Sequence, residues 1–177
     1  MNDNNQTNTK GITMSREDLV RINNEALEDM LTKMKDAPKD SVIFKSNKHL
    51  LHGSTNKVWA GGGNLSLGGF IFWSASCNVL LTDVATGVKA IHFSADGTGF
   101  MLGASESEVV GAFVVDPSSI KGGNCHFTIV TGAVEAGATT LFLYTTKGKL
   151  LGNFTGPSEG FGAGTMSGTG KLKIVSS

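Results

Sequence analysis

Gly160-Phe-Gly-Ala-Gly-Thr-Met-Ser-Gly-Thr-Gly170 sets five glycines in eleven residues, directly ahead of an apolar run from Leu172 to Val175. Gly68-Gly69, Gly111 and Gly152 likewise fall where a strand must continue. Glycine inside a strand weakens it, and is tolerated where a sheet bends sharply or two backbones approach closely. A small, strongly coiled barrel needs such corners; a flat sandwich needs fewer. The glycines therefore favour a barrel.

The rest of the chain after Ser41 agrees with that reading. Short apolar runs are separated by turn chemistry, about ten residues apart, and no helical window follows Met34. Val42–Phe44, Lys57–Ala60, Gly69–Trp73, Cys77–Leu81, Val88–Phe93 and Phe100–Leu102 read as strands. So do Val109–Val115, Cys125–Thr131, Thr139–Thr145, Leu150–Phe154 and Leu172–Val175. Cys125, Phe127 and Ile129 alternate with His126, Thr128 and Val130, the period-two pattern of a half-buried strand. Asp96-Gly97 and Lys147-Gly148 fit hairpin turns, and Asp116-Pro-Ser-Ser119 fits a turn start. The expected fold is mainly β: a compact antiparallel barrel of about eight strands, of Greek-key type, preceded by one N-terminal α-helix. Gly99-Phe-Met-Leu-Gly103 and Gly148-Lys-Leu-Leu-Gly152 echo one another, which suggests either two related Greek-key motifs or chance in a biased composition.

Charge divides the chain in two. Residues 1–59 hold 17 of the 30 charged side chains, whereas 22 of the 24 glycines follow Ala60. Residues 1–56 are thus expected to form a charged arm and 57–177 a Gly-rich barrel. Met1–Lys10 is too polar to offset its ordering entropy and is expected to be disordered. It also lacks the apolar segment of a signal peptide. A helix is expected over about 15–36. Ser15 and Asp18 form a capping box, Met14 and Leu19 a hydrophobic staple, and Pro38 follows the end. Its apolar stripe, Val20, Leu27, Met30, Leu31 and Met34, is interrupted by Asn23 and Asn24. Such a helix packs on its own domain or meets a partner protein; its mixed charges argue against a basic membrane anchor.

Composition excludes several classes. Fifteen Lys plus Arg balance fifteen Asp plus Glu, so no electrostatic footprint for nucleic acid exists at chain level. Two cysteines rule out a disulfide-dense scaffold. The longest apolar run, Phe70–Trp73, is far short of a helical membrane span.

The residues that could carry chemistry read more simply as structure. Gly156-Pro-Ser158-Glu-Gly160 matches the G-x-S-x-G nucleophile elbow, but a glycine-rich stretch follows where a helix is required. Gly97-Thr-Gly99 and Gly160-Phe-Gly-Ala-Gly164 lack the lysine and helix of a phosphate loop. His49 and His52 are spaced for one helical face yet have no carboxylate beside them, and His92 and His126 fall on polar strand faces. Cys77 and Cys125 fall on core faces, either as free thiols or as a disulfide. Asp83, Asp96, Glu106, Glu108, Asp116, Glu135 and Glu159 sit mostly at turns and form no acid–base pair. Asn5, Asn64 and Asn153 begin glycosylation sequons. No catalytic, cofactor or metal residue is therefore expected, and no enzyme.

Thr140-Leu-Phe-Leu-Tyr-Thr-Thr-Lys-Gly-Lys-Leu-Leu-Gly-Asn-Phe-Thr-Gly156 resembles a hairpin of the rhodococcal virulence-associated protein family: aliphatic-aromatic strand, tight turn, then Leu-Gly. Ser167-Gly-Thr-Gly170 is similar to the family's glycine-rich last strand. Phe93-Ser-Ala-Asp-Gly-Thr-Gly-Phe100 and Val114–Ile120 fit its middle hairpins, so the resemblance spans roughly residues 66–175. It implies an eight-stranded barrel behind a poorly ordered N-terminal segment, and an exported, non-enzymatic effector acting at host or target-cell membranes. No functional residues carry over. The chain departs from the family in lacking a signal peptide, in its N-terminal helix, and in Gly170-Lys-Leu172 where the family's last strand usually ends in Trp. The expectation is secretion, with the cytoplasm as alternative; membrane lipids as partners; and, as second reading, a barrel binding a sugar or small apolar molecule.

Overall fold

In the computed structural model of the chain, the described residues are 14–51, 57–69, 71–98, 103–132, 137–158 and 164–176. The expected disorder of residues 1–10 and the expected strand Phe100–Leu102 lie outside them.

Eight antiparallel strands close into a barrel: β1 (Trp59–Gly69), β2 (Phe72–Leu81), β3 (Val88–Thr98), β4 (Gly103–Phe113), β5 (Gly123–Thr131), β6 (Ala138–Thr145), β7 (Leu150–Pro157) and β8 (Gly164–Ser176). Around the barrel their order is β1-β2-β3-β8-β5-β6-β7-β4. Read as four-strand units, β4-β1-β2-β3 and β8-β5-β6-β7 are both Greek keys, each with its fourth strand beside its first. The sequence echo does not mark this repeat. Residues 99–103 join the third and fourth strands of the first unit, whereas 148–152 join the second and third of the other.

The interior explains the glycines. Phe93, Phe113, Phe127 and Phe154 are at most 2% exposed and point inward, with ring centroids 5.1 Å apart for Phe93–Phe127 and 5.0 Å for Phe113–Phe154. Three of these rings, and that of Trp73, lie directly across from a glycine on the neighbouring strand: Trp73 from Gly97, Phe113 from Gly152, Phe154 from Gly111, and Phe127 from Gly168. A Cβ at Gly152 would stand 2.5 Å from the Ala112 carbonyl oxygen and 3.1 Å from the Phe113 ring. Interiors pack at crystal-like density, so in a barrel this narrow an aromatic ring needs an empty position opposite. The inward glycines supply that space.

Two helices precede the barrel, not one. α1 (Arg16–Asp36) carries the expected capping box, with the Asp18 amide donating to Ser15 Oγ at 3.1 Å. α2 (Val42–Leu51) includes Val42–Phe44, which the sequence reading takes as a strand. Ser41 decides otherwise, because its hydroxyl accepts from the Phe44 amide at 3.1 Å and starts the helix. The residues from Trp59 to Gly69 form one long strand through Gly61-Gly-Gly63, where only Lys57–Ala60 was expected to be extended. Gly69–Trp73, expected as a strand, spans the β1–β2 hairpin; Gly69 ends β1 at φ +145°, which favours glycine. Asp96-Gly97 is not a turn but part of β3, with Gly97 making room for Trp73. Lys147-Gly148 is the expected turn, with Gly148 at φ +79°.

Candidate functional site

α1 packs on the outside of β4, β6 and β7 and α2 packs against α1, so the described helices of the charged arm lie against the barrel. Leu19, Ile22, Ala26 and Met34 are buried there. Of the expected stripe, Met34 is buried and Leu27, Met30 and Leu31 pack partly buried against the core, whereas Val20 is 43% exposed. Asn23, which interrupts the stripe in sequence, is buried and bonded. Asn153 Nδ2 donates to the Asn23 backbone carbonyl at 2.9 Å and to its Oδ1 at 3.0 Å, and Thr155 Oγ1 donates to the same Oδ1 at 2.9 Å. Thr140 and Thr155 hydroxyls lie 2.8 Å apart and extend the network to β6.

α2 holds the β6–β7 turn in the same manner. Asn47, fully buried, accepts from the Leu150 amide at 2.7 Å and donates to the Gly148 carbonyl at 2.8 Å. Ser46 Oγ donates to the Lys147 carbonyl at 2.8 Å. Buried amides bonded to backbone fix a docking geometry, because each lost partner leaves a desolvated polar group.

The face away from the helices is polar. Ser74, Ser76, Asn78, Ser94, Thr169 and Lys171 face outward along β2, β3 and β8. Leu80, 52% exposed, interrupts this face near the end of β2, and a larger exception lies at the tip of the β1–β2 hairpin. Ile71 is 56% exposed and Phe72 76%, the most exposed large apolar side chain among the described residues. The residues joining β3 to β4, Gly99-Phe-Met-Leu102, are also apolar in sequence, and their flanks Thr98 and Gly103 pair with Phe72 and Gly69. Lysines gather toward the other end: Lys57 precedes β1, Lys89 begins β3, Lys121 precedes β5, Lys147 and Lys149 lie in the β6–β7 connection, and Lys173 is near the end of β8. Val42 and Ile43, on the first turn of α2, are a second exposed apolar pair.

The residues singled out in the sequence are scattered. Ser158 is buried past the end of β7; its amide donates to the Gly137 carbonyl, and its hydroxyl has no partner among the described residues. Nothing described there takes its proton. Glu159, Gly160, His52, Glu135 and Asn5 lie outside the described residues. His49 is on α2, where partial burial and then the charge of Lys149 hold its pKa below the ordinary value. His92 and His126 are on the outer faces of β3 and β5.

Cys77 and Cys125 are buried free thiols, pushed up to about 12 and about 11 by burial. They sit on β2 and β5, three strand steps apart around the barrel with β3 and β8 between. Asp83 caps a helical turn at 3.0 Å from the Ala85 amide and pairs with Lys57 at 3.7 Å; Asp116 caps Pro117–Ser119. Asn64 is exposed, but Asn153 is 1% exposed beneath α1, so a glycan there would displace the helix. No group of metal-ligating residues forms among the described residues.

Neither the Asn23–Asn153 latch between α1 and β7 nor the exposed Ile71-Phe72 tip is visible in sequence reading. An isolated Asn in an apolar stripe carries no sign of partners 130 residues away, and an apolar run does not say which members face water.

No family model matches the chain. No curated protein matches it either. Among solved structures, the fold is similar to that of the virulence-associated protein VapB from the intracellular pathogen Rhodococcus equi, with a TM-score of 0.47 and 14% identity over 66% of this chain and 96% of that one.

Proposed function

We propose that the chain is a non-enzymatic, exported β-barrel effector of the virulence-associated type that acts at target-cell membranes. The observation that carries the membrane contact is the exposed Ile71-Phe72 pair at the end of a barrel that packs Phe93, Phe113, Phe127 and Phe154 inward. The sequence resemblance supplies the export and the effector role. No described helix is long and apolar enough to cross a bilayer. Leu80 and the tip residue Phe72 apart, β2, β3 and β8 carry apolar residues inward and Ser, Thr and Asn outward, the reverse of a membrane-spanning barrel. Contact would therefore be made by the tip at the surface of the bilayer.

Magnitude sets the kind of contact. Full burial of an Ile or Phe side chain is worth about 1.5–3 kcal/mol. Two such side chains give reversible binding of the order of a single acyl chain, so a second contact would be needed for stable attachment. Closure of the barrel leaves no open sheet edge, which suits a protein outside the cell. A partner protein at α1 would meet its outward face, which is charged apart from Val20. Immunoblots of culture medium and cell lysate test export: protein in the medium supports it, and protein confined to the lysate overturns it.

The second reading, a barrel that holds a sugar or small apolar molecule, loses its lumen to the four phenylalanine rings. What remains for it is the mouth.

A further inference from the structure

At the end of the barrel opposite the apolar tip, a cavity of about 290 Å³ opens between the β4–β5 connection and the β6–β7 hairpin. Its floor is apolar and buried: Val115, Leu151 and Leu172 are at most 8% exposed. Its rim is polar and basic, with Lys121, Lys149 and Asn124. No carboxylate lines it, and neither lysine makes a salt bridge among the described residues. Asp116, in the same connection as Lys121, is occupied by the Ser118 amide at 2.9 Å and the Ser118 hydroxyl at 2.7 Å. Two ammonium groups above an apolar recess, with no counter-ion built in, match a ligand that is charged at one end and hydrocarbon at the other.

We propose that this mouth binds a free single-chain amphiphile with an anionic head group, a carboxylate or a phosphate. The head group lies between Lys121 and Lys149, and the hydrocarbon lies on Leu151 and Leu172. The recess is shut below by the packed interior, so it takes a short chain rather than a whole lipid. Cys125 closes the floor as a neutral thiol and adds apolar surface there. The site does not depend on the membrane reading, because Ile71 and Phe72 are at the other end of the barrel.

The test uses the full chain with labelled methyl groups, titrated with octanoate and octyl phosphate, and with octanol as the uncharged control. Saturable shifts at Val115, Leu151 and Leu172, with octanoate binding weakened about tenfold in Lys121→Ala/Lys149→Ala and octanol unaffected by that change, support the proposal. Leu151→Trp, which fills the recess, abolishes binding of all three while circular dichroism stays native. The proposal is overturned if neither anionic probe gives saturable shifts, or if the double lysine variant binds them as tightly as the native chain. It is also overturned if phosphatidylcholine vesicles containing phosphatidic acid shift these methyls and the free amphiphiles do not. Ile71→Ser/Phe72→Ser leaves the octanoate titration unchanged, so the two readings fail separately.

Discussion

Asn23 on α1 and Asn153 on β7 are joined by two hydrogen bonds, at 2.9 and 3.0 Å, between residues that are 4% and 1% exposed. This buried pair, extended through Thr155, ties the charged arm to the barrel. Replacing Asn23 by Ala removes the two hydrogen bonds to its Oδ1, while Asn153 Nδ2 keeps the backbone carbonyl of residue 23 and Thr155 keeps Thr140. The expected loss is about 1–3 kcal/mol, read by denaturant unfolding. Hydrogen exchange then shows lower protection in α1 and unchanged protection in β5. Removing both amides, as Asn23→Leu with Asn153→Leu, recovers part of the loss, because neither amide is left without a partner and Thr155 keeps its bond to Thr140.

The pairing of glycines with rings predicts an order of severity. A Cβ at Gly111 meets the Asn153 carbonyl oxygen and, at 2.7 Å, the Phe154 ring, where backbone cannot yield. A Cβ at Gly168 stands 3.1 Å from the far edge of the Phe127 ring, which can tilt. Gly111→Ala therefore costs roughly 3 kcal/mol or more and Gly168→Ala about 1 kcal/mol. Thermal unfolding followed by circular dichroism distinguishes them; equal midpoints would contradict the packing.

Cys77 and Cys125 stay reduced. Burial keeps both thiols neutral at pH 8, so the native protein reacts slowly with a thiol reagent and the denatured protein releases two equivalents. Fewer than two equivalents after denaturation in the absence of reductant would indicate a disulfide.

His49 is a local probe of the basic mouth. Its pKa lies below 6.5 because burial and then Lys149 disfavour the cation. The folded state thus takes up a proton less readily than the unfolded one. The stability this contributes is complete above the unfolded value near 6.5 and is lost as pH falls through the folded pKa. Lys149→Gln raises the pKa toward 6.5 without reaching it, since burial is the larger cause. Proton NMR titration of His49 in both proteins checks this.

What the sequence reveals depends on how local the cause is. Alternation in Cys125–Thr131 and the capping box of Ser15 with Asp18 act within a few residues, so β5 and α1 are legible. The glycines announce a coiled barrel, but not that Gly97, Gly111, Gly152 and Gly168 each face a particular ring. That relation lives in the register: Gly111 opposite Phe154, Gly168 opposite Phe127. Val42-Ile-Phe44 has strand composition, and only the Ser41 hydroxyl turns it into a helix start. Ile71-Phe72 reads only as part of a strand, because apolar character does not encode exposure. The latch needs two amides brought together by the fold, and neither is unusual alone.

Flotation of the purified full chain with phosphatidylcholine vesicles, beside Ile71→Ser/Phe72→Ser, puts the membrane reading to the test. The native chain is expected to float with the lipid and the variant to stay at the bottom, with unchanged circular dichroism. Because Asp96, Glu106 and Glu108 lie toward the tip and the lysines gather toward the other end, anionic lipid is expected to leave tip binding unimproved. A native chain that fails to float, or a variant that floats equally well, would contradict contact through the tip.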